Sequence, residues 1–126
     1  MVQPINRKQL PSIKPPRLVT PIDLVNRLSQ LYAHLAVRKG LFLRFDCEEK
    51  NGAFIFRIEF QGVDSMLSEE ELGIEFLRPI SEVIGADPID DMGGMFLFVN
   101  RVAAIKARVL VKGEEVVVEG RVKPTN

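Results

Sequence analysis

The chain has a single cysteine, Cys47, and a single histidine, His34. One thiol cannot form a disulfide within the chain, and no second cysteine or histidine stands at metal-ligand spacing. Cys47 falls on the inward face of a predicted β-hairpin and is therefore predicted to be an ordinary buried thiol. No serine or cysteine nucleophile has a histidine that the pattern places beside it, which disfavours hydrolytic and covalent enzymes. No apolar run approaches the roughly 20 residues of a membrane-spanning helix. The sequence shows no positively charged segment followed by the apolar core of a secretory signal peptide, so a cytoplasmic location is predicted.

The composition is that of one globular domain, with 126 residues, 46% apolar and 27% charged. The net charge is zero but uneven: eight bases stand against one acid up to Arg44, and thirteen acids stand against three bases from Phe45 to Asp91. Such asymmetry predicts a dipolar surface that steers a charged partner or pairs with a second copy. The alternative is that the acidic groups are only solvated turns and caps.

Residues 1–20 form a basic, proline-rich N-terminal arm ahead of a single domain over residues 21–124. Proline lacks the backbone N–H and biases the residue before it towards extended conformations, so an extended arm is predicted. The arm has no aromatic side chains on which bases could stack, and nucleic acid is therefore not the expected partner.

The first helix is predicted over Pro21–Lys39, with Thr20 as its N-cap and Gly40 as its C-terminal stop. Its leucines recur at helical spacing and form one apolar stripe. Its polar side carries Arg27, Gln30, His34 and Arg38. This side is a candidate protein-binding surface, and His34 is read as an ordinary exposed histidine, with phosphoryl transfer as the alternative.

The stretch Leu41–Gly62 is predicted to form a β-hairpin about Asn51-Gly52, because a type I′ turn needs positive φ at both central positions. That turn fixes a register with apolar pairs on one face and opposite charges on the other. The predicted pairs are Cys47–Phe56, Phe45–Ile58, Leu43–Phe60, Asp46–Arg57 and Arg44–Glu59.

A capping box at Ser68–Glu71 predicts a second helix that ends at Gly85 and is kinked or split at Pro79. The loop that follows carries Asp87, Asp90 and Asp91, whose spacing does not match a calcium loop, so no metal is predicted. Asp90 and Asp91 form a second candidate partner-binding surface.

Met95–Ile105 is predicted to be a third helix, although its phenylalanine and valine content also suits a strand. A closing hairpin about Gly113-Glu114 follows, with a type II′ turn. Its register pairs Val111 with Val116, Val109 with Val118, Lys112 with Glu115 and Arg108 with Glu119. The expected fold is α+β, an α/β two-layer sandwich in the order helix, hairpin, helix, helix, hairpin. The outer sheet face is expected to be partly apolar, which indicates a dimer or another protein contact; the apolar residues are Phe42, Ile55, Leu110 and Val117.

That order resembles the ATP-binding domain of histidine kinases and their GHKL relatives, over about Pro21–Pro124. GLFLRFDCEEKNGAFIFRIEF is similar to the family's first hairpin, SEEELGIEFLRPI to its short helix, and GGMFLFVNRVAAIKARVLVKGEEVVVEGRV to its glycine box, helix and closing hairpin. The resemblance implies a Bergerat-like fold and is nearest to the glycine-poor domain of histidine phosphotransferases. Gln30 and His34 stand where the family has its two box asparagines, and Phe96 stands where it has a phosphate-approaching glycine.

The resemblance therefore implies a non-catalytic adaptor derived from a kinase-type ATP-binding domain, acting in bacterial signalling on a receiver-like or kinase-like protein partner, without a cofactor. One alternative is a nucleotide-binding or phosphotransfer protein that binds ATP or ADP with Mg²⁺ through Asp64, Gly93 and Gly94. Another is an assembly protein that forms a homo-oligomer through its N-terminal arm.

Overall fold

A computed structural model describes residues 20–63, 68–91 and 93–125 of the chain, and the predicted N-terminal arm lies almost wholly outside this range. Two helices and six strands follow one another along the chain. Their bounds are α1 Pro21–Lys39, β1 Phe42–Lys50, β2 Ala53–Gln61, α2 Glu69–Ile84, β3 Ile89–Asp90, β4 Phe96–Val99, β5 Ala103–Lys112 and β6 Glu115–Pro124.

Helix α1 has the ends that its sequence predicts. The Thr20 hydroxyl accepts a hydrogen bond from the backbone N–H of Asp23, and the Asp23 carboxylate accepts one from the backbone N–H of Thr20. Gly40 ends the helix at φ 68°, a left-handed conformation that costs glycine little. The helix buries its apolar stripe, which includes Leu24, Leu28 and Leu35.

Both predicted hairpins are confirmed in their register. Every pair expected for β1 with β2 is present, from Leu43 opposite Phe60 to Cys47 opposite Phe56. The same holds for β5 with β6, including Arg108 opposite Glu119. The turns also have the expected backbone, with positive φ at Asn51 and Gly52 in the first.

One antiparallel sheet in the order β1-β2-β6-β5-β4-β3 contains both hairpins. Helix α1 packs on β1, β2 and β6, and α2 packs on β4 and β5. Apart from Ala53 and Val117, the buried side chains of the strands belong to the face that meets the helices, so the fold is α+β with helices on one side of the sheet.

Helix α2 also begins and ends where the sequence indicates. Ser68 and Glu71 form the capping box, and Gly85 is the left-handed C-cap. Pro79 lies inside the helix, which continues without a break to Ile84. Near this point the buried Tyr32 hydroxyl of α1 donates a hydrogen bond to the carbonyl oxygen of Phe76.

The predicted third helix over Met95–Ile105 is wrong. This segment forms β4, a turn and the start of β5, so the sheet has two strands more than the four expected from the hairpins. Asn100 makes the turn, because its side-chain oxygen accepts hydrogen bonds from the N–H groups of Val102 and Ala103, at 2.7 and 2.9 Å. Phe98 and Ile105 lie opposite each other in β4 and β5 and are fully buried. Their spacing in the sequence would also place both on one side of a helix, which explains the incorrect prediction.

Cys47 is exposed, so the predicted buried thiol is also wrong. Its side chain is on the helix-facing side of β1, as the register requires, but β1 is the edge strand and its second half is exposed throughout. Partial desolvation of the sulfur by its neighbours, followed by the charge of the Glu48 carboxylate, raises the pKa of this exposed thiol.

Candidate functional site

The face of the sheet opposite the helices is not covered by any element of the described residues. Successive strands contribute side chains to it in rows, because β1, β2, β6 and β5 lie side by side in register. One row contains Arg44, Glu59, Val117 and Leu110, and the next contains Asp46, Arg57, Glu119 and Arg108. We call this surface the open face.

The second row of the open face is a ladder of alternating charge. Glu119 lies between two arginines: its carboxylate oxygens are 2.9 Å from Nη1 of Arg57 and 2.6 Å from Nη2 of Arg108. Arg57 also donates to Glu59 at 2.9 Å, and this bond is the main reason that the pKa of Glu59 is lowered. These charges hold one another in place across three strands, so they form an ordered surface rather than a set of independent side chains.

Beside the ladder lies a groove of about 780 Å³. Its charged lining consists of four basic and three acidic side chains: Arg57, Lys106, Arg108, Arg121, Asp46, Glu48 and Glu119. Lys106 and Arg121 face each other directly across β5 and β6, a like-charge pair that disfavours the sheet unless an acid lies nearby. Asp91 partly fills that role, with its carboxylate 3.6 Å from Nζ of Lys106. Arg121 makes no ion pair with any described residue.

The predicted surface on α1 is present as one exposed helix side. Arg27, Gln30, His34 and Arg38 are all exposed, and Arg27 donates a hydrogen bond to the side-chain oxygen of Gln30 at 3.3 Å. This surface is on the helix layer, whereas the open face is on the other side of the sheet. The chain therefore presents two charged surfaces that point in different directions.

The acidic loop does not join the α1 surface. Asp90 is exposed in β3, and Asp91 follows it in the turn to β4. The Asp91 carboxylate accepts the backbone N–H groups of Gly93 and Met95 at 3.0 and 3.2 Å, and these bonds, led by that of Gly93, lower its pKa. Asp91 thus stabilises its own turn and pairs with Lys106, next to the groove.

The residues predicted for nucleotide binding are only partly described. Asp64 lies outside the described residues, while Gly93 and Gly94 are in the turn between β3 and β4. A phosphate bound by a helix N-terminus would need a helix after these glycines, and strand β4 begins there instead. Within the described ranges, no group of three or more His, Cys, Asp or Glu side chains is arranged to hold a metal ion.

A second groove, of about 850 Å³, separates α2 from the β4–β5 edge of the sheet. Its walls are mainly apolar and include Ile74, Leu77, Phe96 and Val109. Strand β4 pairs with β5 only as far as Ala107, so the second half of β5 has β6 on one side and, in the described residues, no strand on the other. This second groove is mainly apolar, whereas the groove on the open face is lined by charged side chains.

Sequence reasoning placed the opposite charges of each hairpin across from one another, as the register confirms, but of these pairs only Arg108 and Glu119 form an ion pair, and the groove was missed. The groove depends on β2 lying beside β6, which brings Arg57 to Glu119 over 62 residues of sequence. One signal was available: Val116, Val117 and Val118 are consecutive apolar residues, a pattern typical of a central strand rather than an edge strand.

Among the described residues, no helix combines the length and apolar character needed to cross a membrane. Protein-family models, curated proteins and solved structures were each compared with the chain, and none matched. The function is therefore proposed from the described surfaces themselves.

Proposed function

We propose that the protein is a non-catalytic protein-interaction module that binds its partner on the open face. The observation that carries this proposal is the one-sided covering of the sheet: both helices pack on one face, and the other presents an ordered charge ladder beside a groove of about 780 Å³. Ordered charges of both signs are suited to binding another protein. They favour a partner surface with the complementary pattern of charges and disfavour one that places like charges opposite them.

The partner is best matched by a protein with a mainly acidic patch flanked by a base. Arg121 and Lys106 give the groove its unbalanced positive charge, while Glu119 is already held between Arg57 and Arg108. An acidic side chain of the partner would relieve the repulsion between Lys106 and Arg121. Such contacts govern association rate and selectivity more than affinity. An acidic receiver-like protein, expected from the GHKL resemblance, is one candidate of this chemistry.

The test compares two pairs of charge reversals. The first pair, Lys106→Glu with Arg121→Glu, changes the groove, and the second pair, Arg27→Glu with Arg38→Glu, changes the exposed side of α1 by the same total charge. A partner is first identified by cross-linking in cells, and its affinity for each purified variant is then measured by calorimetry. We expect the groove pair to weaken binding by about tenfold or more, which corresponds to about 1.4 kcal/mol, and the α1 pair to change it little.

The reverse result, loss of binding only with the α1 pair, would move the site to Arg27, Gln30, His34 and Arg38. Equal binding by all variants would contradict the charge-based proposal altogether. A separate measurement tests the non-catalytic part: thermal unfolding with and without ADP or ATP plus Mg²⁺. A ligand at 100 times its dissociation constant stabilises a protein by about 2.7 kcal/mol, so a clear rise in Tm would favour the nucleotide-binding alternative.

A further inference from the structure

Strand β1 forms one edge of the sheet, since β2 is its only hydrogen-bonded neighbour in the described residues. It runs for nine residues in unbroken register with β2. Natural edge strands of this length are usually protected by a proline, a bulge or a charge in mid-strand that points inward. β1 has no proline or glycine, and its lysine, Lys50, is its last residue. Its edge is therefore open to pairing with another strand.

The hairpin turn determines which backbone groups face this edge. Asn51 and Gly52 have φ of 54° and 79°, and the flanking residues of such a two-residue turn, Lys50 and Ala53, exchange backbone hydrogen bonds. Hydrogen-bonded positions then alternate along the strand, so the even-numbered residues of β1 bond to β2. The N–H and C=O groups that point to the free edge belong to Leu43, Phe45, Cys47 and Glu49.

We infer that this edge binds a second copy of itself, antiparallel, with the two-fold axis at Phe45. In that register Phe45 faces the partner's Phe45. Leu43 faces the partner's Cys47, and by symmetry Cys47 faces the partner's Leu43. All of these are odd-numbered residues, so three pairs each exchange two backbone hydrogen bonds. The axis is perpendicular to the sheet, which places the helices of both copies on the same side and joins the two open faces.

Charge selects this register over its neighbours. With the axis at Phe45, Arg44 faces the partner's Asp46, and the same contact occurs again by symmetry. Moving the axis to Asp46 would set two Asp46 carboxylates directly opposite each other, and moving it to Arg44 would do the same with two arginines, both of which destabilise a sheet. An axis at Cys47 would bring Asp46 against the partner's Glu48. The axis at Phe45 pairs seven residues, Phe42–Glu48, without a like-charge contact.

The same register continues the charge ladder of the open face. Within one copy, Arg44 lies opposite Glu59, and Asp46 lies opposite Arg57. Joining Arg44 to the partner's Asp46 therefore gives one row of alternating charge. It begins with Glu59 and Arg44 of one copy and continues through Asp46, Arg57, Glu119 and Arg108 of the partner. In the single chain Arg44 and Asp46 bond to each other at 3.1 Å with 72% and 55% of their side chains exposed, so pairing would exchange this weak, exposed bond for bonds to the partner.

Disulfide cross-linking tests the register. Directly opposed, hydrogen-bonded residues have Cα atoms about 5.5 Å apart, which lies in the range of a disulfide. The Leu43→Cys variant should therefore form a covalent dimer through the partner's Cys47 on mild oxidation. The Leu43→Cys/Cys47→Ser variant should not, and the native chain should cross-link poorly because Cys47 faces Leu43. Equal cross-linking of the native chain, or none by the Leu43→Cys variant, would overturn the register.

Two proline variants test the pairing itself by light scattering, where the native chain should have twice its 14.2 kDa mass. Cys47→Pro removes a backbone N–H that makes no hydrogen bond to β2 in the single chain but donates one across the proposed dimer interface. Because both copies carry the substitution, the dimer loses two such bonds. We expect the dimer dissociation constant to rise at least about fivefold, because two hydrogen bonds of about 0.5–1.5 kcal/mol are lost. Glu49→Pro removes an equivalent N–H just outside the paired stretch and should leave it unchanged.

Circular dichroism of both proline variants confirms that the single chain keeps its fold. Three results would overturn the inference: a native chain that is monomeric, equal effects of the two prolines, or a dimer that persists in Cys47→Pro. A native monomer that dimerises only after residues 1–19 are removed would assign this edge to the chain's own arm, and would overturn the inference for the full chain.

Discussion

Gly120 is the position where the structure predicts the largest effect of adding one methyl group. It lies in β6, opposite Phe56 of β2 and Ala107 of β5. A Cβ built there meets the Phe56 ring and the Ala107 methyl at 2.9 Å and also collides with the carbonyl oxygen of Lys106. The carbonyl belongs to the sheet backbone and cannot move aside. Overpacking of this kind costs about 1–3 kcal/mol, so Gly120→Ala should lower the Tm by about 4–12 °C.

Gly73 supplies the matched control, because it is a glycine within helix α2 with nothing within 4 Å of an added Cβ. Alanine is favoured over glycine in a helix by about 0.5–1 kcal/mol, so Gly73→Ala should raise the Tm by a few degrees. Urea unfolding followed by circular dichroism gives the free energy of each variant. Combining Gly120→Ala with Phe56→Leu should recover part of the loss, since a shorter side chain removes one of the contacts.

A neutral or stabilising Gly120→Ala would refute this packing of β2, β6 and β5, because no rotamer change can remove the contact with the Lys106 carbonyl. A loss of the same size in Gly73→Ala would indicate a general sensitivity of the chain to substitution. Only opposite signs for the two variants, with partial recovery in the double variant, agree with the structure.

Substitutions at three further positions test single side chains by urea unfolding. Asn100→Ala should lower the free energy of unfolding by about 1–3 kcal/mol, because it removes two hydrogen bonds within the turn and the one that the amide donates to the Ile84 carbonyl oxygen. Asn100→Asp should recover only the two bonds within the turn. Tyr32→Phe should cost about 0.5–1.5 kcal/mol through loss of the buried hydrogen bond to Phe76, and no change would argue against that bond. The lowered pKa of Asp91 means that its contribution is present above its unfolded value near 3.9 and is lost as pH falls, so Asp91→Asn should be destabilising at pH 7 and nearly neutral in acid.

The sequence predicts those elements whose signals are local. Each hairpin has a turn of defined type and charged pairs that only one register satisfies, and the register is confirmed in both. Helices α1 and α2 have capping residues at both ends, and their bounds are confirmed as well. Glycines and caps act over four or five residues, so they can be recognised without any knowledge of the rest of the chain.

The failures concern features that depend on distant residues. The segment Met95–Ile105 has apolar residues at a spacing that suits either a helix or two strands, and the side chain of Asn100 decides between them by closing a turn and bonding to the end of α2. The run Val116–Val118 indicates that β6 is a central strand, but no local pattern specifies its pairing with β2. The groove follows from that pairing, so it could not be found from the sequence.

The open face was predicted to be partly apolar, and its predicted apolar residues are exposed to very different extents. Val117 is only 2% exposed, because β6 is central and Glu59 and Leu110 flank it on the same face. Phe42 is 80% exposed, at the outer edge in β1. The most exposed apolar side chain of the face therefore lies at the β1 edge, while Ile55 in β2 and Val99 in β4 are exposed to a smaller extent. Pairing through β1 would shelter that edge and leave the ladder and its groove free for a second protein.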